Sequence, residues 1–160
     1  MFGLFTAAPH TDARLGTFRR SWGAWRGAII LDGAHAVPLI VAGSRAAPDP
    51  KALDVAQSLP AAFAKLRPAI AEKLFEHCDP YLEAVRGGEY AEPENRDILR
   101  IASAADTWAF VEPTAVSVKA VAGEYTAELA LKAAWDEEHT LGVTIAGDRL
   151  VEFNGSIGPM

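Results

Sequence analysis

The sequence predicts an α+β domain in which an antiparallel sheet of about six to seven strands carries two to four helices on one face. Three observations support this fold. Segments rich in β-branched residues fill positions 17–42, apolar residues then recur at helical spacing up to position 87, and apolar and polar residues alternate after position 113. Such alternation is typical of antiparallel strands with one buried and one solvated face. We therefore expect an N-terminal hairpin and a C-terminal meander.

The N-terminal strands are predicted from three segments. "TFRRS" is a short first strand, whereas "AWRGAIIL" and "HAVPLIVAG" are longer and rich in Ile and Val. Asp32-Gly33 lies between the longer segments and supplies the positive backbone angles that a tight hairpin turn requires. Because Pro38 donates no hydrogen bond within a sheet, its strand is expected at a sheet edge or at a bulge.

Two helical pieces in series are predicted for the middle of the chain. Asp49 can cap the first piece, and Pro50 suits its first position. Because proline lacks the amide hydrogen and clashes with the preceding turn, Pro60 and Pro68 are expected to break or kink the helical run. Gly87-Gly88 ends the second piece. The apolar face consists of Leu53, Ala56, Leu59, Phe63 and Leu66, then Ile70, Leu74, Cys78, Leu82 and Val85.

A shorter helix is predicted after the polar connection "EYAEPENRD". Ser103 and Asp106 resemble a capping box, in which the two residues satisfy amide groups at the helix start. Trp108 and Phe110 follow the box, and Pro113 is expected to close this helix.

The C-terminal strands are predicted from a two-residue period. Residues of one parity share a face of a strand, so the apolar positions are expected to face the core. These positions are Val116 and Val118, then Tyr125, Leu129, Leu131 and Trp135, then Leu141, Val143 and Ile145. Gly147-Asp148 turns the chain into a last strand, "RLVEF".

Composition limits the class of protein. With 160 residues, half of them apolar, the chain is expected to form a single domain over residues 1–160, in which residues 1–14 are a candidate flexible lead. The net charge of −6 and the lack of a basic cluster beyond "FRRSW" argue against nucleic acid and membrane surfaces as partners. We predict a cytoplasmic location for three reasons. The chain has one cysteine, its N-terminus makes a poor secretory signal, and it contains no apolar run long enough to span a membrane.

The segment "AAWDEEHTLGV" is the strongest candidate for a functional site. Its carboxylates and imidazole could bind a divalent ion or share a proton. However, consecutive residues of an extended segment point to opposite sides, so a metal site would need ligands from elsewhere. Glu94, Asp97, His35 and His77 are candidates, but nothing in the sequence aligns any of them with the segment. The alternative is a structural turn in which an acid accepts backbone amides. The candidate residues are Trp135, Asp136, Glu137, Glu138, His139 and Gly142, of which Glu138 and His139 would be the metal ligands.

A second candidate is an aromatic and cationic patch. Trp22, Trp25 and Arg26 would form it if both rings were exposed, and such a patch would bind a partner. The alternative places Trp25 in the core and Trp22 at an edge. Trp108 and Trp135 lie on apolar faces and are expected in the core. Cys78 has no activating partner in the sequence and is expected to be buried and inert.

The segments "WDEEHTLGV" and "LVEFNG" resemble an uncharacterised family of small bacterial domains with a C-terminal W-[DE]-x-E-H-x-L-G motif. "LGTFRRSWGAWRGAIIL" and "DTWAFVEPTAVSV" are similar to its opening strands and its helix-to-strand passage. The resemblance spans most of residues 15–155 and implies no established activity. Small α+β domains of similar organisation include immunity proteins, which cover the active site of a toxin; this is an analogy of fold alone.

Two functional hypotheses follow. The first is a non-enzymatic protein-interaction domain, with an immunity-type inhibitor as its specific form. The second is a metal-binding or metal-dependent hydrolytic protein that uses the 136–139 segment. No catalytic residue and no cofactor are assigned. The chain is expected to be a monomer or a homodimer that buries the strand containing Pro38.

Overall fold

A computed structural model describes residues 7–33, 35–89 and 96–160. The strands are β1 (His10–Asp12), β2 (Gly16–Ser21), β3 (Ala24–Ile30), β4 (Ala36–Val41), β5 (Val111–Val121), β6 (Glu124–Ala133), β7 (Asp136–Ala146) and β8 (Arg149–Ile157). A long helix, α1 (Pro50–Arg86), lies between β4 and β5, and two short 3-10 helices, Asp97–Arg100 and Ala104–Ala109, follow it.

The eight strands form one sheet in which their spatial order equals their order in the chain. All neighbours are antiparallel except β4 and β5, where Leu39–Val41 runs parallel to Val116–Val118. A parallel neighbour requires a crossover connection, and α1 provides it. The predicted sheet of six to seven antiparallel strands was therefore wrong in number and in type. Side-chain alternation reports which face is buried, but it does not report the direction of the neighbouring strand.

A single α-helix of 37 residues replaces the two pieces predicted around Pro60 and Pro68. Each proline costs about 3 kcal/mol inside a helix. However, the eleven buried side chains of α1 form a stripe that continues past the prolines, which lie outside it. Burying one large apolar side chain contributes about 1.5–3 kcal/mol, so the stripe offsets the cost.

The predicted ends of the helical region are confirmed. The carboxylate of Asp49 accepts a hydrogen bond from the Lys51 amide at 2.9 Å, and Gly87 caps the end of α1. The capping box is also present, although it begins a 3-10 helix: the Asp106 carboxylate accepts from the Ser103 amide at 2.8 Å. Pro113 does not close this helix, because it lies inside β5 next to a bulge. Of the polar connection, residues 90–95 lie outside the described residues.

The N-terminal hairpin is confirmed as the β3–β4 pair. The tight Asp32-Gly33 turn is not, because the five positions 31–35 separate the strands, although Gly33 does have a positive φ of 67°. The edge position predicted for the Pro38 strand is wrong, because β4 lies between β3 and β5. Pro38 is tolerated there because pairing with β5 begins only at Leu39. The edges of the sheet are β1 and β8, so a dimer through β4 has no edge to use. Of the predicted flexible lead, residues 1–6 lie outside the described residues and residues 10–12 form β1.

The core lies between α1 and one face of the sheet. The predicted inward positions of β5, β6 and β7 are confirmed as buried, apart from Tyr125, which is half-buried. On the N-terminal strands Phe18 and Trp25 are fully buried. Gly27 makes room for Phe18, since a Cβ at position 27 would lie 2.8 Å from the ring.

Strand pairing places the turns at two opposite ends of the sheet. The Trp22–Gly23, Ala122–Gly123 and Gly147–Asp148 turns share one end, which we call the Trp22 end. The Ala134–Trp135 turn lies at the other, the Trp135 end. The eleven residues of β5 run between them, a distance of about 35 Å at roughly 3.3 Å per residue.

Candidate functional site

Asp136 is the centre of the charged segment and is almost completely buried, with 5% of its surface exposed. It is the first residue of β7, directly after the Ala134–Trp135 turn. One carboxylate oxygen accepts a hydrogen bond from the Tyr81 hydroxyl at 2.9 Å. The other accepts from Nδ1 of His139 at 2.9 Å and from the His139 amide at 3.2 Å. The carboxylate therefore ties the start of β7 to α1 and to His139 in the same strand.

The charge of Asp136 is maintained by these hydrogen bonds. Burial acts to raise the pKa of the carboxyl group, but the bonds from His139 and Tyr81 outweigh it and hold the pKa below its ordinary value. Asp136 is therefore ionised at neutral pH, and Nδ1 of His139 carries a proton because a carboxylate can only accept.

His77 joins the site from α1. Its Nδ1 accepts a hydrogen bond from the Trp135 indole at 3.0 Å, so the neutral imidazole carries its proton on Nε2. Nε2 lies 3.8 Å from the Asp136 carboxylate. Burial lowers the pKa of His77, Asp136 opposes this shift, and His139 adds to it. His77 is thus held neutral between an indole donor and a carboxylate.

The sequence indicated His77 only as one of four possible outside contributors, with Glu94, Asp97 and His35. The signal that could have found it is the spacing of His77 and Tyr81, which are four residues apart and so lie on the same face of a helix. Both side chains reach the charged segment from α1. Nothing in the sequence places that helical face against the β6–β7 turn.

A cavity of about 280 Å³ opens beside Asp136. Its lining includes aromatic and aliphatic residues of α1 and of the 3-10 helix that follows, together with the charged segment. These residues are Tyr81, Val85, Ile98, Trp135, Asp136, Glu137, Glu138 and His139. Glu137 and Glu138 are exposed, whereas Trp135 is buried as predicted.

The chemistry available at the cavity is limited. Within the described ranges, no group of three or more His, Cys, Asp or Glu side chains is arranged to hold a metal ion. Cys78 is buried, and burial raises the pKa of its thiol to about 12, so the thiolate is not available at neutral pH. The geometry therefore gives no support to the metal-dependent hypothesis.

Gly142 has a packing role. A Cβ at this position would lie 2.4 Å from Cγ2 of Ile157, so a larger residue would displace the Ile157 side chain where β8 packs beside β7. This close packing gives Gly142 a structural role.

The structure exposes only one of the two tryptophans of the predicted aromatic and cationic patch. Trp25 is fully buried and its indole donates to the Ser44 carbonyl at 3.0 Å, so it does not belong to the patch. Trp22 is 93% exposed at the tip of the β2–β3 hairpin. Arg26 lies directly opposite Arg19 in the strand register. Trp22, Arg19 and Arg26 together form what we call the Trp22 tip.

A protein-family comparison decides the classification. One family model matches residues 14–158, which is nearly the whole chain. The chain belongs to the family described as Domain of unknown function (DUF6985). No curated protein matches the chain significantly, and no solved structure does so either. Membership confirms the resemblance to a domain of unknown function, but it supplies no activity. Within the described residues, no helix has the length and apolar character needed to cross a membrane.

Proposed function

We propose that this DUF6985 domain is a non-enzymatic protein-interaction domain whose partner is anchored by Trp22. The observation that carries the proposal is the exposure of Trp22, 93%, at a backbone position with a φ of 51°. A bulky residue in the left-handed region is uncommon, and this conformation costs about 1–2 kcal/mol. A tryptophan exposed in such a position contributes little to folding, and Trp is among the residues that most often dominate binding energy.

Two arginines of the same hairpin, three residues before and four residues after Trp22, support the same function. Arg19 and Arg26 lie directly opposite each other, and like charges in this arrangement destabilise a sheet. In the part of the chain that the structure describes, neither forms an ion pair with a carboxylate. Nε of Arg26 and Nε of the neighbouring Arg20 are both buried without a hydrogen-bond partner among the described residues. The Trp22 tip thus concentrates positive charge on a chain whose net charge is −6, which suits an acidic binding surface.

An immunity-type inhibitor is the more specific form of this proposal. Such a domain would use the Trp22 tip to cover the active site of a toxin. A toxin gene next to the gene of this chain would support it. Direct inhibition of that toxin by the purified domain would test it, with Trp22→Ser as the variant expected to lose inhibition.

The general proposal can be tested by photocross-linking in the native cells. A photoreactive phenylalanine analogue at position 22 is expected to give one discrete cross-linked protein, whereas the same analogue at position 122 gives none. Ala122 is the matched control because it occupies the equivalent turn position, with a φ of 50°. The purified cross-linked protein should then bind the wild-type domain and lose affinity for Trp22→Ser. Equal cross-linking from both positions, or equal affinity of both domains, would contradict the proposal.

A further inference from the structure

We infer that the partner of the Trp22 tip is a second copy of this chain, in which the tip of one copy enters the cavity beside Asp136 of the next. This inference rests on the proposed function, because it names the partner of the same tip. It uses two features that are otherwise unrelated: an exposed tryptophan at one end of the sheet and a cavity at the other.

The cavity suits an indole in size and in lining. Pockets that hold drug-sized ligands begin at about 300 Å³. This cavity, at about 280 Å³, is slightly smaller, and an indole ring is itself smaller than a drug-sized ligand. Tyr81, Val85 and Ile98 give it an aromatic and aliphatic wall. Such a wall favours a flat apolar ring, because insertion of the ring removes both the ring and the cavity wall from water.

The charges around the cavity are opposite to those of the tip. Glu137 and Glu138 are exposed and line the cavity, and among the described residues neither forms an ion pair. The tip carries Arg19 and Arg26, which also have no carboxylate partner there. Insertion of Trp22 would therefore bring two unpaired positive charges to two unpaired negative charges. This complementarity within one sequence favours a second copy over an unrelated partner.

The positions of the two features determine the kind of assembly. Tip and cavity lie at opposite ends of the sheet, about 35 Å apart along β5, so one copy cannot fill its own cavity. The contact is heterologous, with a different surface on each side, and it produces a ring or an open chain of copies. A single hairpin tip covers a small area, so the association is expected to be weak and to depend on protein concentration.

Sedimentation velocity over a concentration series tests the inference with two variants that each remove one side of the contact. Trp22→Ser keeps the cavity but lacks the ring, and the double variant Glu137→Arg/Glu138→Arg keeps the tip but reverses the charge at the cavity. Each variant alone is expected to remain monomeric where the wild type associates, with affinity weakened about 30-fold or more, as for a binding hot spot. An equimolar mixture of the two is expected to form a 1:1 dimer and nothing larger.

The controls use the same kinds of substitution elsewhere. Ala122→Ser changes the equivalent turn, and Glu72→Arg/Glu152→Arg reverses the charge of two exposed glutamates away from the cavity; both should associate like the wild type. Because all substituted positions are exposed, the variants should fold, and circular dichroism checks this. A wild type that stays monomeric at millimolar concentration, or a mixture that behaves as the sum of its components, overturns the inference.

Cross-linking separates this inference from the proposed function. If the photoreactive residue at position 22 links to the segment around Asp136 of another copy, both stand. If the wild type is monomeric and position 22 links to a different protein, the second-copy inference fails while the interaction function stands. If position 22 links to nothing, both fail.

Discussion

Trp22 and Trp135 both lie in two-residue turns between antiparallel strands, yet their surroundings are opposite. Trp22 is 93% exposed, whereas Trp135 is 6% exposed and donates its indole N–H to His77. The difference comes from α1, which brings His77 and Tyr81 to the Trp135 end. Trp135 is thus a core residue, because a helix distant in the sequence supplies its contacts. Trp22 is a candidate binding residue, because its turn leaves the ring in solvent.

The largest effect is expected from removing the buried ring. Trp135→Ala should lower the free energy of unfolding by about 3–5 kcal/mol, because a large cavity replaces a packed side chain. Trp22→Ala should change it by no more than about 0.5 kcal/mol, as for other exposed positions. Urea unfolding at neutral pH measures both. A similar loss from the two variants would show that the two turns do not differ as described.

A smaller loss is expected from neutralising the buried carboxylate. Asp136→Asn keeps the shape of the side chain but removes the charge that Tyr81 and His139 bond to, which should cost about 1–3 kcal/mol. Glu137→Gln is the matched control, since it makes the same chemical change next to it on an exposed side chain. If neither substitution changed the free energy of unfolding, the hydrogen bonds of Asp136 would not stabilise the Trp135 end as described.

Acid should weaken the Trp135 end in two steps. The pKa of His77 is lowered in the folded state. Below about pH 6.5 the unfolded chain therefore binds a proton that the folded chain does not. As a result, the free energy of unfolding decreases as the pH falls from about 6.5 to the pKa of His77 in the folded state. The pKa of Asp136 is also lowered, so its contribution is present above about pH 3.9 and is lost as pH falls through the folded pKa.

Unfolding free energies between pH 8 and pH 3 measure this dependence. His77→Gln can still accept from the Trp135 indole but does not titrate. It should reduce the slope below pH 6.5 and leave the more acidic step in place. Stability that increases between pH 7 and pH 5 would contradict the assignment of His77 as a neutral, buried group.

The smallest effect is expected at the exposed tip. Trp22→Asn should stabilise the domain by about 1 kcal/mol, because asparagine adopts the left-handed conformation with less strain than tryptophan. That gain corresponds to an increase in Tm of about 2–4 °C for a chain of this size. Ala122→Asn should give a similar gain at the equivalent turn. A Trp22→Asn variant that melts lower than the wild type would show that the ring has contacts within its own chain.

Sequence reasoning predicted the parts of the fold that depend on local pattern. The β3–β4 hairpin, the cap at Asp49 and the end of α1 at Gly87 are confirmed, as are the inward residues of the C-terminal strands except Tyr125. Each of them depends on residues close together in the chain, where spacing and turn chemistry determine the outcome.

The errors concern features that depend on distant parts of the chain. Pro60 and Pro68 were expected to interrupt the helix, but the strength of the packing against the sheet decides whether a proline is tolerated. The parallel β4–β5 pair was missed because alternation is the same for both strand directions. At the candidate site, the charged segment was recognised, but His77 and Tyr81 were not placed in it, because their arrangement depends on how α1 packs.

The parallel β4–β5 pair also bears on the order in which the parts of a single chain fold. Leu39 and Val116 are partners although they are 77 positions apart (116 − 39), whereas every other strand pairs with a neighbour joined by a short loop. Closing the long connection carries an entropic cost that local hairpins avoid, and contacts between distant positions slow folding. The two halves of the sheet are therefore expected to form early as separate meanders. They would join last, when α1 docks and three residues of each half come into register.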